Sequence, residues 1–185
     1  DQDWVDGVRT FLAAVTDGDP QALAKHRLHF VLGLTGSGKT TLLKNAGSDP
    51  SLGDVELSQT VSPTSSCSLG FLEAGIAVEI SGRHVDPKRD VVERDNEWDR
   101  LLSSIKVDVT AEQCASIVVC VSALDLKVQQ SPTNVAGWQL LRRRISDLMA
   151  LAKRRLPVYV LLTHVDQLEG GGQLIEHLPV SLLSQ

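Results

Sequence analysis

Cysteine is sparse in this chain. Cys67, Cys114 and Cys120 are an odd number without metal-binding spacing, which argues against a disulfide framework and for a reduced, cytosolic compartment. The histidines His26, His29, His84, His164 and His177 form no HxxxH or CxxC partner arrangement, so a zinc site has little support. No apolar run approaches the length of a membrane span, and the first residues are acidic and amphipathic, unlike a signal peptide. A soluble chain is expected. An excess of positive charge is also missing: the net charge of −5 argues against nonspecific nucleic-acid binding. Two local basic clusters, Arg142-Arg143-Arg144 and Lys153-Arg154-Arg155, read as solvated faces of a helix.

With 185 residues and 42% apolar content, the chain suits one α/β domain with a substantial core. Its organising stretch is residues 28–46, LHFVLGLTGSGKTTLLKNA. An apolar run over 28–34 reads as a buried strand, and Leu42, Leu43 and Ala46 continue after it with helical spacing. Between them Gly33, Gly38, Lys39 and Thr40 fill the pattern GxxxxGK[ST], with a further glycine at Gly36. A loop without bulky side chains wraps a phosphate chain with consecutive backbone N–H groups, here from Gly33 through Thr35, Gly36, Ser37 and Gly38. The following helix aims its positive end at the same charge. Lys39 would meet the β- and γ-phosphates, Thr40 would offer its hydroxyl to Mg²⁺, and Thr41 is a helper at most. Binding of GTP or ATP with Mg²⁺ is the expectation; hydrolysis needs further residues.

Along the chain, Trp4, Val8, Phe11, Leu12 and Val15 recur at helical spacing until Asp17-Gly18-Asp19-Pro20. Residues 1–27 therefore read as a helical flank and 28–185 as the phosphate-loop domain. Residues 45–68 read as a long polar loop with at most a short strand near 55–57. Phe71 and Leu72, then residues 76–80 (IAVEI), suggest a hairpin-like pair of strands. Residues 83–96 look charged and loop-like, and Trp98, Leu101, Leu102 and Ile105 mark a helix. Residues 116–124 and 158–163 are apolar runs suited to buried strands, separated by a long helix over about 134–155 with Trp138, Leu141, Ile145, Leu148, Met149 and Ala152 as its apolar stripe. This alternation argues for a doubly wound, mainly parallel sheet with ligands at the strands' carboxyl ends.

Two further motifs fall at such ends. Glu79-Ile80-Ser81-Gly82-Arg83 stands where P-loop GTPases carry DxxG, whose acid holds Mg²⁺ and whose glycine N–H senses the γ-phosphate. The glutamate is one methylene longer than the usual aspartate, and a solvent-facing Glu on an edge strand is an equal alternative. Thr163-His164-Val165-Asp166 stands where GTPases carry [NT]KxD. The Asp166 carboxylate would accept from the adjacent donors of guanine, where adenine offers an acceptor. His164 replaces the lysine that covers the base, and capping of a helix by Thr163 or Asp166 is the competing reading.

Taken together, GLTGSGKTTLLKNAG, TSSCSLGFLEAGIAVEISGR, the Trp98 segment, VVCVSALDL and PVYVLLTHVDQLEG resemble, in order and spacing, the IcmF/TssM family of bacterial type VI secretion systems. The resemblance runs from about Leu28 to the C-terminus. It implies a small-GTPase-like P-loop domain on the cytoplasmic face of the inner membrane, within a larger protein whose transmembrane segments lie outside this chain. The expected partners are other secretion subunits of the membrane complex and baseplate, without nucleic acid. Departures from the family's pattern are Leu69-Gly70-Phe71 for WWF, Glu79 for the DTAGR acid and His164 for the TKCD lysine. Thr64 matches the threonine of GTR, a candidate sensor of Mg²⁺ and γ-phosphate. Arg83 neighbours the position that orients water in GTPases and is a candidate for transition-state charge.

Two functions compete: a nucleotide-driven switch or slow NTPase in assembly of the secretion complex, and a catalytically degenerate scaffold that docks other subunits. The intact GSGKT favours the first; Glu79 and His164 favour the second. Whether a final sheet strand lies beyond Gln185 stays open in the sequence.

Overall fold

The computed structural model describes residues 2, 5–6, 8, 25–45, 66–72, 75–127 and 131–177. Their strands are β1 (Leu28–Leu32), β2 (Cys67–Leu72), β3 (Gly75–Ile80), β4 (Cys114–Ser122) and β5 (Val158–Thr163). Their helices are α1 (Lys39–Asn45), α2 (Val91–Asp108), α3 (Ala123–Lys127), α4 (Pro132–Leu151) and α5 (Gly171–His177). The strands form one sheet in the order β2-β3-β1-β4-β5, parallel throughout except for β2, which runs antiparallel to β3. The expected hairpin-like pair is therefore β2 and β3, joined in register from Cys67↔Ile80 to Leu72↔Gly75.

Side-chain alternation along each strand divides the apolar residues between two faces. Phe30, Leu32, Ile76, Val78, Ile80, Ile117, Val119 and Val121 belong to the larger cluster with Trp98, Leu101, Ile105, Leu141 and Leu148 from α2 and α4. Val31, Ala77 and Cys120 belong to a smaller cluster with Leu43 of α1. The inner strands are thus covered on both faces, which is why β1, β3 and β4 read as continuous apolar runs. Each fully buried aliphatic or aromatic side chain contributes about 1.5–3 kcal/mol, so the larger cluster carries most of the stabilisation.

Several expectations need correction. Residues 91–96 are helical, because the Asp90 carboxylate caps α2 by accepting from the Glu93 N–H at 2.9 Å. That first turn exposes Val91 and Val92 and buries only Arg94, so it lacks the periodicity that marks a helix. In α4 the buried line is Gly137, Leu141, Arg144, Leu148 and Leu151, with Trp138, Ile145 and Met149 only packed against its flank. Arg144 is therefore a core residue, 1% exposed, and not part of a solvated face. Lys153-Arg154-Arg155 lies past the end of α4, where Lys153 takes a left-handed conformation. The span expected for β5 matches its observed bounds, but the strand is not buried: Val158, Tyr159, Val160, Leu161 and Leu162 are all exposed. At the N-terminus Gln2, Val5, Asp6 and Val8 are helical, with Val8 buried in the larger cluster; Trp4, Phe11, Leu12 and Val15 lie outside the described residues.

Candidate phosphate-binding site

The glycines of the loop after β1 are there for distinct reasons. Gly36 and Gly38 have φ of 78° and 82°, left-handed conformations that a Cβ disfavours. A Cβ on Gly33 would run into the Ser37 hydroxyl and the Cys120 carbonyl oxygen. Ser37 is buried, and its Oγ makes no hydrogen bond among the described residues. Thr35 and Gly36 are exposed at the crest of the loop. Lys39 is buried, and its ammonium donates to the carbonyl oxygens of Gly33 and Leu34, each at 2.9 Å. The cation therefore sits within the curl of the loop itself. Burial pulls the Lys39 pKa below the usual lysine value, with the Glu79 carboxylate opposing; charge is better retained by an ammonium when an anion joins it.

The end of β3 meets the same loop. Thr40 donates from Oγ1 to Glu79 Oε1 at 2.6 Å, and Ser68 of β2 donates to Glu79 Oε2 at 3.4 Å. Glu79 is 6% exposed on an interior strand, so the solvent-facing edge reading does not hold. Its carboxylate and the Thr40 hydroxyl are adjacent hard oxygen donors, a set that fits Mg²⁺. Thr41 is exposed one position further along α1. Gly82 is buried so closely against the loop that a Cβ there would lie 2.6 Å from the Thr35 backbone nitrogen.

The end of β5 closes the third side. Thr163 donates from Oγ1 to the Ser37 carbonyl oxygen at 2.8 Å, and its side chain would lie 3.2 Å from a Cβ on Gly38. The cap of the following 3₁₀ turn (Val165–Gln167) is His164, which makes no side-chain capping bond. The capping reading thus fails for Thr163, whose hydroxyl serves the loop. His164 is left-handed, with Nδ1 at 3.0 Å from Ser122 Oγ at the end of β4. Asp166 is exposed within the turn. Thr64 lies outside the described residues. Of the sequence candidates, Gly33, Thr35, Gly36, Ser37, Gly38, Lys39, Thr40, Glu79 and Gly82 form one contiguous group, and His164 and Asp166 follow Thr163, the residue of β5 that touches Ser37.

Arg83 points into a different set of contacts. Its Nη2 donates to Glu97 Oε1 of α2 at 2.6 Å. The same carboxylate receives both arms of Arg89, at 2.6 and 3.1 Å, and these pairs hold Glu97 below the usual carboxylate pKa. Next to it His84 is fully buried. Its Nε2 lies 3.2 Å from the Ser66 carbonyl oxygen, and its backbone oxygen accepts from Arg144 Nε at 3.1 Å. Arg144 pairs with Asp95 and Asp147 and lies 4.9 Å from the centre of the Trp98 ring. Trp98 donates to Asp147 at 2.8 Å. Sequence reasoning missed this network, since its members are far apart in the chain; the signal within reach was Arg144 falling on the Leu141–Leu148 stripe.

A crystal structure of a probable GTP-binding protein engB is similar to this chain with a TM-score of 0.44 and 15% identity, over 84% of this chain and 83% of that one. The type VI secretion system component TssM1 of Pseudomonas aeruginosa is 26% identical over 153 residues. That match covers 81% of this chain and 14% of the relative, so the chain spans a small part of its relative's length. The family model of the IcmF-related N-terminal domain matches residues 92–185, more than half of the chain, and so the chain belongs to the IcmF/TssM family.

Proposed function

We propose that the loop between β1 and α1 binds the phosphates of a nucleoside triphosphate, and that the chain serves as a slow nucleotide-dependent switch in assembly of a bacterial type VI secretion complex. The supporting observation is the Lys39 ammonium held inside a glycine-shaped loop by two carbonyl oxygens. Phosphate oxygens are stronger acceptors for an ammonium than neutral carbonyls, so the group is poised to exchange one set of partners for the other. Backbone N–H groups of residues 34–40 would line the phosphates, and Lys39 would neutralise the β- and γ-oxygens. Thr40 and Glu79 would hold Mg²⁺, which supplies charge neutralisation to the phosphate chain. Gly82, against Thr35, would report the γ-phosphate, with Arg83 as the adjacent cation. Asp166, exposed in the turn that follows β5, would select guanine with His164 against the base. The scaffold alternative is favoured by one observation, the pairing of Arg83 with Glu97, which leaves hydrolysis weak. Location at the cytoplasmic face of the inner membrane, and contact with other secretion subunits, belong to the same proposal.

The experiment is titration of the protein with GTP and with ATP, each with and without Mg²⁺, by calorimetry. Lys39→Ala removes a charge-assisted hydrogen bond worth about 1.5–3 kcal/mol and is expected to weaken affinity roughly tenfold to a hundredfold. Unchanged affinity in that variant rejects the site. Tighter binding of GTP than of ATP, lost in Asp166→Ala, assigns the base.

A further inference from the structure

We propose that Ser122, at the end of β4, is a positioning residue for base recognition: its hydroxyl donates to His164 Nδ1 and fixes the imidazole as a rigid platform for the purine of the nucleotide. The inference rests on the nucleotide reading above.

Ser122 and Thr163 are the last residues of their strands and are partners in register, so the residue after Thr163 emerges beside the end of β4. That residue is His164, with a left-handed φ of 55° and ψ of 27°. A side chain with a Cβ is held in this region by its surroundings, and here Nδ1 lies 3.0 Å from Ser122 Oγ.

The direction of the proton follows from what else the neighbouring hydroxyls do. Thr163 Oγ1 lies 3.5 Å from the same ring nitrogen, but its proton is used on the Ser37 carbonyl oxygen at 2.8 Å. Ser122 is 4% exposed, and among the described residues its hydroxyl has His164 as its hydrogen-bond partner. Were Nδ1 the donor, the serine proton would be buried without an acceptor. Nδ1 therefore accepts, and Nε2 carries the N–H.

A histidine side chain has two torsions. The left-handed backbone sets where Cβ points and the Ser122 bond sets the ring, so little rotamer freedom is left to lose when a base stacks on it. The lysine that His164 replaces would cover the base with a flexible stem; rigidity comes here from the neighbouring strand. Asp166 belongs to the turn that His164 caps, so a purine whose edge meets that carboxylate has its face beside the ring. Ser122 acts through His164 and touches no nucleotide itself.

Binding of GTP, ATP and inorganic tripolyphosphate, each with Mg²⁺, to the full 185-residue chain separates the base from the phosphates. Ser122→Ala is expected to weaken GTP binding roughly threefold to tenfold, the worth of one hydrogen bond, and to leave tripolyphosphate within about twofold. His164→Ala should lose at least as much on GTP, and adding Ser122→Ala to it should cost nothing further, because the two side chains act as one unit. Ser122→Thr keeps the hydroxyl and should bind GTP as the parent chain does. Long-range proton–nitrogen NMR of the parent at alkaline pH should find the His164 proton on Nε2. The inference is overturned if Ser122→Ala leaves GTP affinity unchanged, if it weakens tripolyphosphate as much as GTP, if the two single losses add in full, or if Nδ1 carries the proton. A parent chain that binds tripolyphosphate as tightly as GTP keeps its phosphate loop and loses the base platform. Failure to bind any of the three is a different result and removes the nucleotide reading itself.

Discussion

His84 shows how much one side chain can be governed by its surroundings. Burial holds its pKa down to about 4, with Arg83 and Arg144 adding to the effect and the hydrogen bond to the Ser66 backbone and the Glu97 charge opposing. Among the described residues its Nδ1 has no hydrogen-bond partner, so a second proton would be buried without an acceptor. In the unfolded chain the imidazole takes up a proton near pH 6.5, whereas in the folded chain it does so only near pH 4. Between those values the unfolded state binds more protons, and stability must fall as the pH falls. The expected loss across the window is about 3 kcal/mol, read by urea unfolding at several pH values. His84→Gln should flatten the dependence between pH 6.5 and 4, and an equal slope in that variant would assign it to other groups. Asp95 and Glu97, held low by Arg144 and Arg89, lose their contribution only as the pH falls below the usual carboxylate range. Nothing in the local sequence around His84 discloses this. Its partners come from residue 66, α2 and α4.

At the level of elements, α4 is the piece whose reading changed most. Its apolar residues announce an amphipathic helix, but the face it buries includes Gly137 and Arg144. Gly137 lets α4 approach Leu34 of the glycine-rich loop after β1; a Cβ there would meet the Leu34 side chain at 2.9 Å. Arg144 then fills the space between α4, α2 and the turn over residues 82–85 with a guanidinium whose donors are used on Asp95, Asp147 and the His84 carbonyl. Arg144→Ala would strip the donor from that buried carbonyl and leave Trp98 without its covering cation, and is expected to cost about 3–5 kcal/mol. Arg143→Ala, at an exposed position that also reaches Asp95 at 3.2 Å, is expected to cost about 1 kcal/mol or less. Denaturant unfolding of both variants checks the contrast, and comparable losses would mean that the network adds nothing to its surface member. Basic residues adjacent in sequence thus have unrelated roles, decided by a rotation of about 100° per residue around the helix.

At the largest scale, the sheet formed by the described residues ends on β5, with five large apolar residues exposed. An open, apolar edge is a template for pairing with another chain. Concentration-dependent association of the chain is expected, and Val160→Lys, at a position 61% exposed, should suppress it in sedimentation or light scattering without lowering stability. Association that persists in this variant would place the contact elsewhere. The sequence by itself determined the strand–loop–helix unit at residues 28–45, the apolar strands and the sites of the motifs, because these depend on short-range spacing: glycines that a loop must have, and apolar runs of the length of a strand. Which strand is buried and which is bare, whether Glu79 faces water or Thr40, and that Arg83 answers to Glu97 and Arg144 to His84 were decided by tertiary structure alone. Those outcomes depend on distances between residues remote in the chain, and burial and pairing of charge exist only once the elements have packed.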